Sequence, residues 1–174
     1  MKIAIVTLIL CSLVICCKEP KATHDSKEFV DKVQNLVLSE DKAGQEYFFK
    51  ILLKEEVLEY KVVYLGKVKT GESNNLKFLF ITTYSGLYED SKRANSKIYL
   101  YQGSKRLGYY YIGGEYTILP KVASSDLIIS YDDENCNKST KISFKDNIPE
   151  EIFIKCKEEN GKMFGDLYKF EKDE

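Results

Sequence analysis

Leu58 to Val68 reads LEYKVVYLGKV, and after the polar, Gly-containing stretch Thr70 to Asn75 the chain continues as LKFLFITTY from Leu76 to Tyr84. β-Branched and aromatic residues fill both segments, as a pleated, packed surface requires. The second segment is apolar on both faces, the pattern of a strand inside a sheet. Toward the C-terminus, further strands are predicted over Lys97 to Gln102, Lys105 to Ile112, Tyr116 to Val122, Leu127 to Tyr131, Thr140 to Lys145, Glu151 to Cys156 and Asp166 to Glu171. Their short spacings suit an antiparallel meander. Toward the N-terminus, Glu46 to Leu53 (EYFFKILL) fits either a turn of helix or the entry to the sheet. Before it, Asp25-Ser26-Lys27-Glu28 is a capping-box-like start, with a carboxylate at the cap and Glu three residues later. Phe29, Val33, Leu36 and Val37 then fall on one helical face, and that helix should end between Ser39 and Gly44. The fold class that follows is mainly β (α+β): an N-terminal helix, then an antiparallel β meander forming a sandwich or barrel.

One hairpin can be read in register. Gly103-Ser104 occupies the central positions of Gln102-Gly103-Ser104-Lys105, a type II′ signal. It pairs Tyr101 with Arg106, Leu100 with Leu107 and Ile98 with Tyr109. Alternation then puts Ile98, Leu100, Leu107, Tyr109 and Tyr111 on a core face, and Tyr99, Tyr101, Arg106 and Tyr110 on the other. Tyr and Arg are over-represented among interface hot spots, so the second set is a candidate surface for gripping a protein or a sugar ring. Cross-strand pairing beneath another layer of the fold would use the same residues.

The first residues read differently. Met1-Lys2 is followed by IAIVTLILCSLVI over Ile3 to Ile15, then Cys16-Cys17 and the polar KEPKATHDS. From Ile3 to Cys17 a helix would rise about 22 Å, short of the roughly 30 Å hydrocarbon core. A basic start, an apolar run and a processing region make an export signal. Residues 1–16 are assigned to it, residues 17–26 to a lipidated Cys and a flexible tether, and residues 27–174 to a single β-rich domain. The Cys pair resembles the lipobox of bacterial lipoproteins, in which a Cys after a small residue is lipidated and begins the mature chain. Cys17, preceded by Cys16, fits better than Cys16, preceded by the bulky Ile15. Neither follows the usual Gly, Ala or Ser.

The chain has 174 residues, 44% of them hydrophobic, with 26 Lys and Arg against 27 Asp and Glu. Such apolar content with near-neutral charge excludes disorder, and the charge balance gives no pull toward nucleic acid. Of five cysteines, Cys136 and Cys156 lie in the body. Without a Cys-x-x-Cys or a His partner they make no zinc site, and in an oxidising compartment they are expected to form a disulfide. Tyr131 to Lys138 (YDDENCNK) is densely acidic. Asp133, Asn135 and Asn137 have the 1-3-5 spacing of an EF-hand loop, but Lys138 and Phe144 stand where Gly and Glu are needed. No metal is therefore assigned. The lone His24 falls in the tether, which leaves Ser-His and Cys-His dyads without support. Gly113-Gly114 ends a strand rather than opening a helix, so no phosphate loop and no cofactor are expected.

Tyr64-Leu65-Gly66, Ser91-Lys92-Arg93-Ala94-Asn95-Ser96, Leu107-Gly108-Tyr109-Tyr110-Tyr111, Ile148-Pro149, Phe153-Ile154-Lys155-Cys156 and Gly165-Asp166-Leu167-Tyr168, with Cys136, together resemble small uncharacterised lipoproteins of Bacteroidetes-type bacteria. The resemblance spans Tyr60 to Phe170. It implies a lipid-anchored protein of the bacterial cell envelope, on the periplasmic or surface face, and implies no activity. The expectation is a non-enzymatic binding or interaction module held to a membrane through its N-terminal lipid, with a protein partner or small ligand. Its rivals are an immunity lipoprotein against a secreted toxin, a lipocalin-like carrier of an apolar ligand, and a carboxylate-dependent hydrolase. The carrier needs an interior cavity lined by Phe and Tyr. The hydrolase needs two facing acids roughly 5 to 10 Å apart.

Overall fold

A computed structural model describes residues 26–52, 57–71, 75–86, 91–132 and 134–173. The expected export signal, Cys16, Cys17, His24, the expected cap Asp25 and Asp133 lie outside them. Helix α1 (Ser26–Glu40) opens the described chain, so Ser26, placed in the tether by sequence, is its first residue. Among the described residues ten strands follow: β1 (Glu46–Leu52), β2 (Val57–Lys69), β3 (Asn75–Gly86), β4 (Arg93–Gln102), β5 (Lys105–Tyr111), β6 (Lys121–Ala123), β7 (Asp126–Ser130), β8 (Ser139–Ser143), β9 (Glu151–Glu159) and β10 (Lys162–Lys172). The ambiguous EYFFKILL segment is thus a strand. β3 lies between β2 and β4, as its two apolar faces require.

Seven strands form one antiparallel sheet in the order β1-β2-β3-β4-β5-β10-β9, and β6-β7-β8 form a second. The two sheets make a sandwich, with α1 on the outer side of the larger one. Two cores result. The inner core, between the sheets, holds Phe78, Phe80, Ile98, Tyr110, Phe144 and Ile154 among others. The outer core packs Val33, Val37 and Leu38 of α1 on Tyr60, Val62, Leu79 and Tyr101. Alternation along β3 feeds both, with Leu76, Phe78 and Phe80 facing inward and Leu79 and Ile81 toward the helix.

The helix is rotated from its predicted face. Leu36 is 50% exposed, whereas Leu38 is buried beside Val37. The true stripe is Val30, Val33, Gln34, Val37 and Leu38, at i, i+3, i+4, i+7 and i+8. Tyr116 to Val122 is also not one strand. Only Lys121–Ala123 pairs, while Tyr116 is buried in the preceding loop and stacks on Tyr131 with ring centroids 5.4 Å apart.

Three bulges shape the large sheet. Leu65 is the extra residue in β2, Leu107 in β5 and Cys156 in β9. At the third, Cys156 is joined to Cys136 by a disulfide, and its carbonyl accepts from the backbone N–H groups of Asn137 and Lys138 at 2.9 and 3.1 Å. Nearby, the Lys155 N–H donates to Thr140 Oγ1 of β8 at 2.7 Å. The bulge thereby fastens one corner of the small sheet to edge strand β9. Closing a loop of 20 residues contributes on the order of 3 kcal/mol through unfolded-state entropy.

Candidate binding surface

The β4–β5 hairpin turns at Gly103-Ser104 as read from the sequence, and Tyr101 pairs with Arg106. Beyond that pair the register differs. Leu100 lies opposite Gly108, Tyr99 opposite Tyr109, and Ile98 opposite Tyr110. The bulge at Leu107 adds one residue to β5, and a one-residue shift exchanges the faces of every later side chain. Tyr110 therefore belongs to the inner core, fully buried, with its hydroxyl donating to the Pro149 carbonyl. Tyr109 and Tyr111 move to the helix side. Gly108 inside a strand was the available signal for this bulge. It has φ +151°, and a Cβ there would come within 2.2 Å of the Glu171 carbonyl oxygen on β10.

Of the four residues singled out by sequence, Tyr99, Tyr101 and Arg106 are thus together and Tyr110 is not. Their surroundings also differ from an open face. Tyr101 is buried beneath α1, where its hydroxyl donates to Gln34 Oε1. Arg106 donates from Nε to Asp173 and from Nη1 to Asp31 at 3.0 Å and to Gln34 Oε1 at 3.4 Å. Its guanidinium also lies 5.6 Å from the Tyr99 ring centroid. This polar clamp joins α1, the hairpin and the residue after β10. Burial alone would lower the Arg106 pKa, but the bond and charge of Asp173 outweigh it and raise the value. Burial also pushes Tyr99 up to about 12, with Arg106 opposing.

Beyond the clamp the same face opens. Tyr99 and Tyr109 rings lie 5.3 Å apart, and the Lys97 ammonium sits 4.0 Å from the Tyr109 centroid and 5.7 Å from that of Tyr111. Tyr109 donates to Glu171, and Tyr111 donates to Asn95 Oδ1 at 2.6 Å. Burial against these rings lowers the Lys97 pKa, and the Glu171 charge partly opposes it. The rings are held by hydroxyl bonds at their rims, which leaves their faces to make contacts. Tyr111 is 43% exposed. Further out, Phe153 of β9 pairs with Leu167 of β10, and both are exposed on this side. Among the described residues α1 covers β2 and β3, and this surface begins where that cover stops. No protein family, curated protein or solved structure matches the chain.

Lys97, Tyr109, Tyr111 and the clamp partners Asp31, Gln34 and Asp173 were not found by sequence reasoning. The first three follow once the bulge is placed. The clamp joins residues 67 to 75 positions apart, and no local pattern announces such contacts.

Proposed function

We propose that the chain is an exported bacterial protein held at the cell envelope by lipidated Cys17, with Cys16 the alternative, and that its folded domain is a non-enzymatic binding module. The observation that carries the binding reading is the Tyr109–Lys97–Tyr111 ladder on the uncovered half of the large sheet. Flat rings with fixed hydroxyls and a cation held against them offer apolar area and polar direction at little entropic cost. The anchor reading rests on the apolar run ending in Cys16-Cys17 and the polar residues after it. Several acyl chains, as in the lipoproteins it resembles, make a stable anchor where one does not.

The rival chemistries find less support. A carrier needs interior space, but between the sheets the Phe78 and Phe144 rings meet edge to face at 4.9 Å, and Phe80 and Tyr116 at 5.8 Å. A carboxylate hydrolase needs two free acids. Asp31 and Asp173 converge, but Arg106 lies between them and binds both.

The anchor is tested by fractionating cells that express the full chain. Replacing Cys16 and Cys17 by Ser should move the protein from the membrane fraction to the soluble one, and retention would reject the anchor. For the surface, wild type and the Tyr109→Ala/Tyr111→Ala variant are compared as bait against the native envelope. A partner held by wild type should be lost from the variant, and equal capture by both would reject the ladder as the binding surface.

A further inference from the structure

β1 is the first strand of the large sheet, hydrogen-bonded on one side to β2. Among the described residues no strand pairs with its other side, and an edge of this kind offers main-chain hydrogen-bonding groups to another chain. Tyr47, Phe49 and Ile51 point toward the outer core, so alternation turns Glu46, Phe48, Lys50 and Leu52 to the other face. There Phe48 is 71% and Leu52 57% exposed. The small sheet contacts β2 through β6, and these two apolar side chains lie outside its cover. Beside them runs a groove of about 470 Å³ lined by Phe48, Phe49, Lys50, Glu59, Tyr60 and Tyr84.

The charges on this strand identify what fits it. Glu46 and Lys50 lie symmetrically two residues either side of Phe48. If a second β1 runs antiparallel about a two-fold axis through Phe48, each Glu46 lies opposite a Lys50 of the other copy and Phe48 lies opposite Phe48. Opposite charges directly across an antiparallel pair are favourable, as are facing aromatic rings. On the other face the same register sets Tyr47 opposite Phe49. Within one chain, Lys61 already lies 2.9 Å from Glu46 and Glu59 lies 3.1 Å from Lys50. In the pair these become a ladder of alternating sign, Lys61-Glu46-Lys50-Glu59, repeated by symmetry. We infer that this chain forms a two-fold dimer by antiparallel β1–β1 pairing, in the register that places Glu46 against Lys50 and Phe48 against Phe48. Such a self-complementary contact closes on itself and leaves no further edge on that side.

The mass of the full chain in detergent, measured by light scattering and by sedimentation across a dilution series, tests this. Wild type should be a dimer. Lys50→Glu faces Glu46 with a second acid twice per dimer and should weaken association by about tenfold or more. Glu46→Lys should do the same, and Glu46→Lys/Lys50→Glu should restore the dimer. The double swap gives up the same intrachain pairs as the two single variants, so its recovery reports contacts between copies. Phe48→Arg sets like charges on the axis at a site too exposed to unsettle the fold and should give monomer, with circular dichroism confirming native structure. A monomeric wild type, a dimer indifferent to Lys50→Glu and Phe48→Arg, or a double swap that stays monomeric overturns the inference.

Discussion

Tyr110 and Tyr101 sit on neighbouring strands of one sheet and are both buried, yet they are held by opposite means. Tyr110 is locked between rings, with Phe170 at 5.1 Å and Phe144 at 6.5 Å, and its hydroxyl donates a hydrogen bond to one backbone carbonyl. Tyr101 is locked by a polar network of Gln34, Arg106, Asp31 and Asp173. The first is fixed by shape, and the second adds charge and hydrogen bonds to the apolar packing under α1. Two packed sheets exclude water from both sides of a contact, so ring against ring suffices. One helix shields only part of a sheet, and Asp31 and Arg106 at its margin remain partly exposed, where solvated ions can be kept.

The sharpest contrast is in cost of truncation. Phe144→Ala removes a fully buried ring that packs on both Phe78 and Tyr110, and should destabilise by about 3–5 kcal/mol in denaturant titration. A cost near 1 kcal/mol would show that the inner core is loosely packed and would erase the distinction. Arg106→Met keeps most of the apolar stem but strands the Asp31 and Asp173 carboxylates and one acceptor site on Gln34. The expected loss is smaller, about 1–3 kcal/mol, and should shrink in high salt because the ions are partly exposed. A neutral or stabilising result would mean that the apolar packing of α1 holds the outer face without the clamp.

The smallest effect is in alkaline titration. Tyr99 is raised from 10.0 to about 12 by burial, against the pull of Arg106, whereas Tyr110 is raised by burial alone. A tyrosine whose folded pKa lies above its unfolded value contributes stability that is complete below about pH 10 and drains as pH climbs through the folded value. Tyr99→Phe should therefore flatten the fall in stability between pH 10 and 12. Tyrosinate absorbance should lose a transition near 12 in Tyr99→Phe and a still higher one in Tyr110→Phe. Loss of a transition near 10 in Tyr99→Phe would place that side chain in open water.

Sequence reading reached the β-rich class and the order of the elements because alternation and β-branching are local signals, and the Cys136–Cys156 disulfide because two body cysteines lacked metal-site partners. It misplaced the phase of two elements for a common reason. In α1 the polar Gln34 sits within the buried stripe, where its oxygen serves Tyr101 and Arg106, so a count of apolar residues drifts toward Leu36. In β5 the bulge at Leu107 breaks the two-residue period, and Tyr110 was assigned to the surface when it belongs to the core. Both are sites where a contact distant in sequence overrides the repeat. The ladder could be read only after the bulge was placed.

β10 lies in the sheet between β5 and β9, and glycine makes room on each side. A Cβ at Gly108 would strike the Glu171 carbonyl oxygen, and one at Gly165 would come within 2.1 Å of the Ile154 carbonyl oxygen. This has a bearing on the order in which the chain can assemble. β1 to β5 precede β10 along the chain, so the early strands can zip up by local hairpins while β5 keeps a bare edge. β9 cannot join them directly, because its place is one strand further out. It needs β10 beside it, either as a finished hairpin that docks as a unit or after β10 has paired with β5. Pairing of this long-range kind is slow, and the waiting edge is open to wrong partners. The kinetic hazard of this fold therefore lies at β5, and the arrival of β10 ends it.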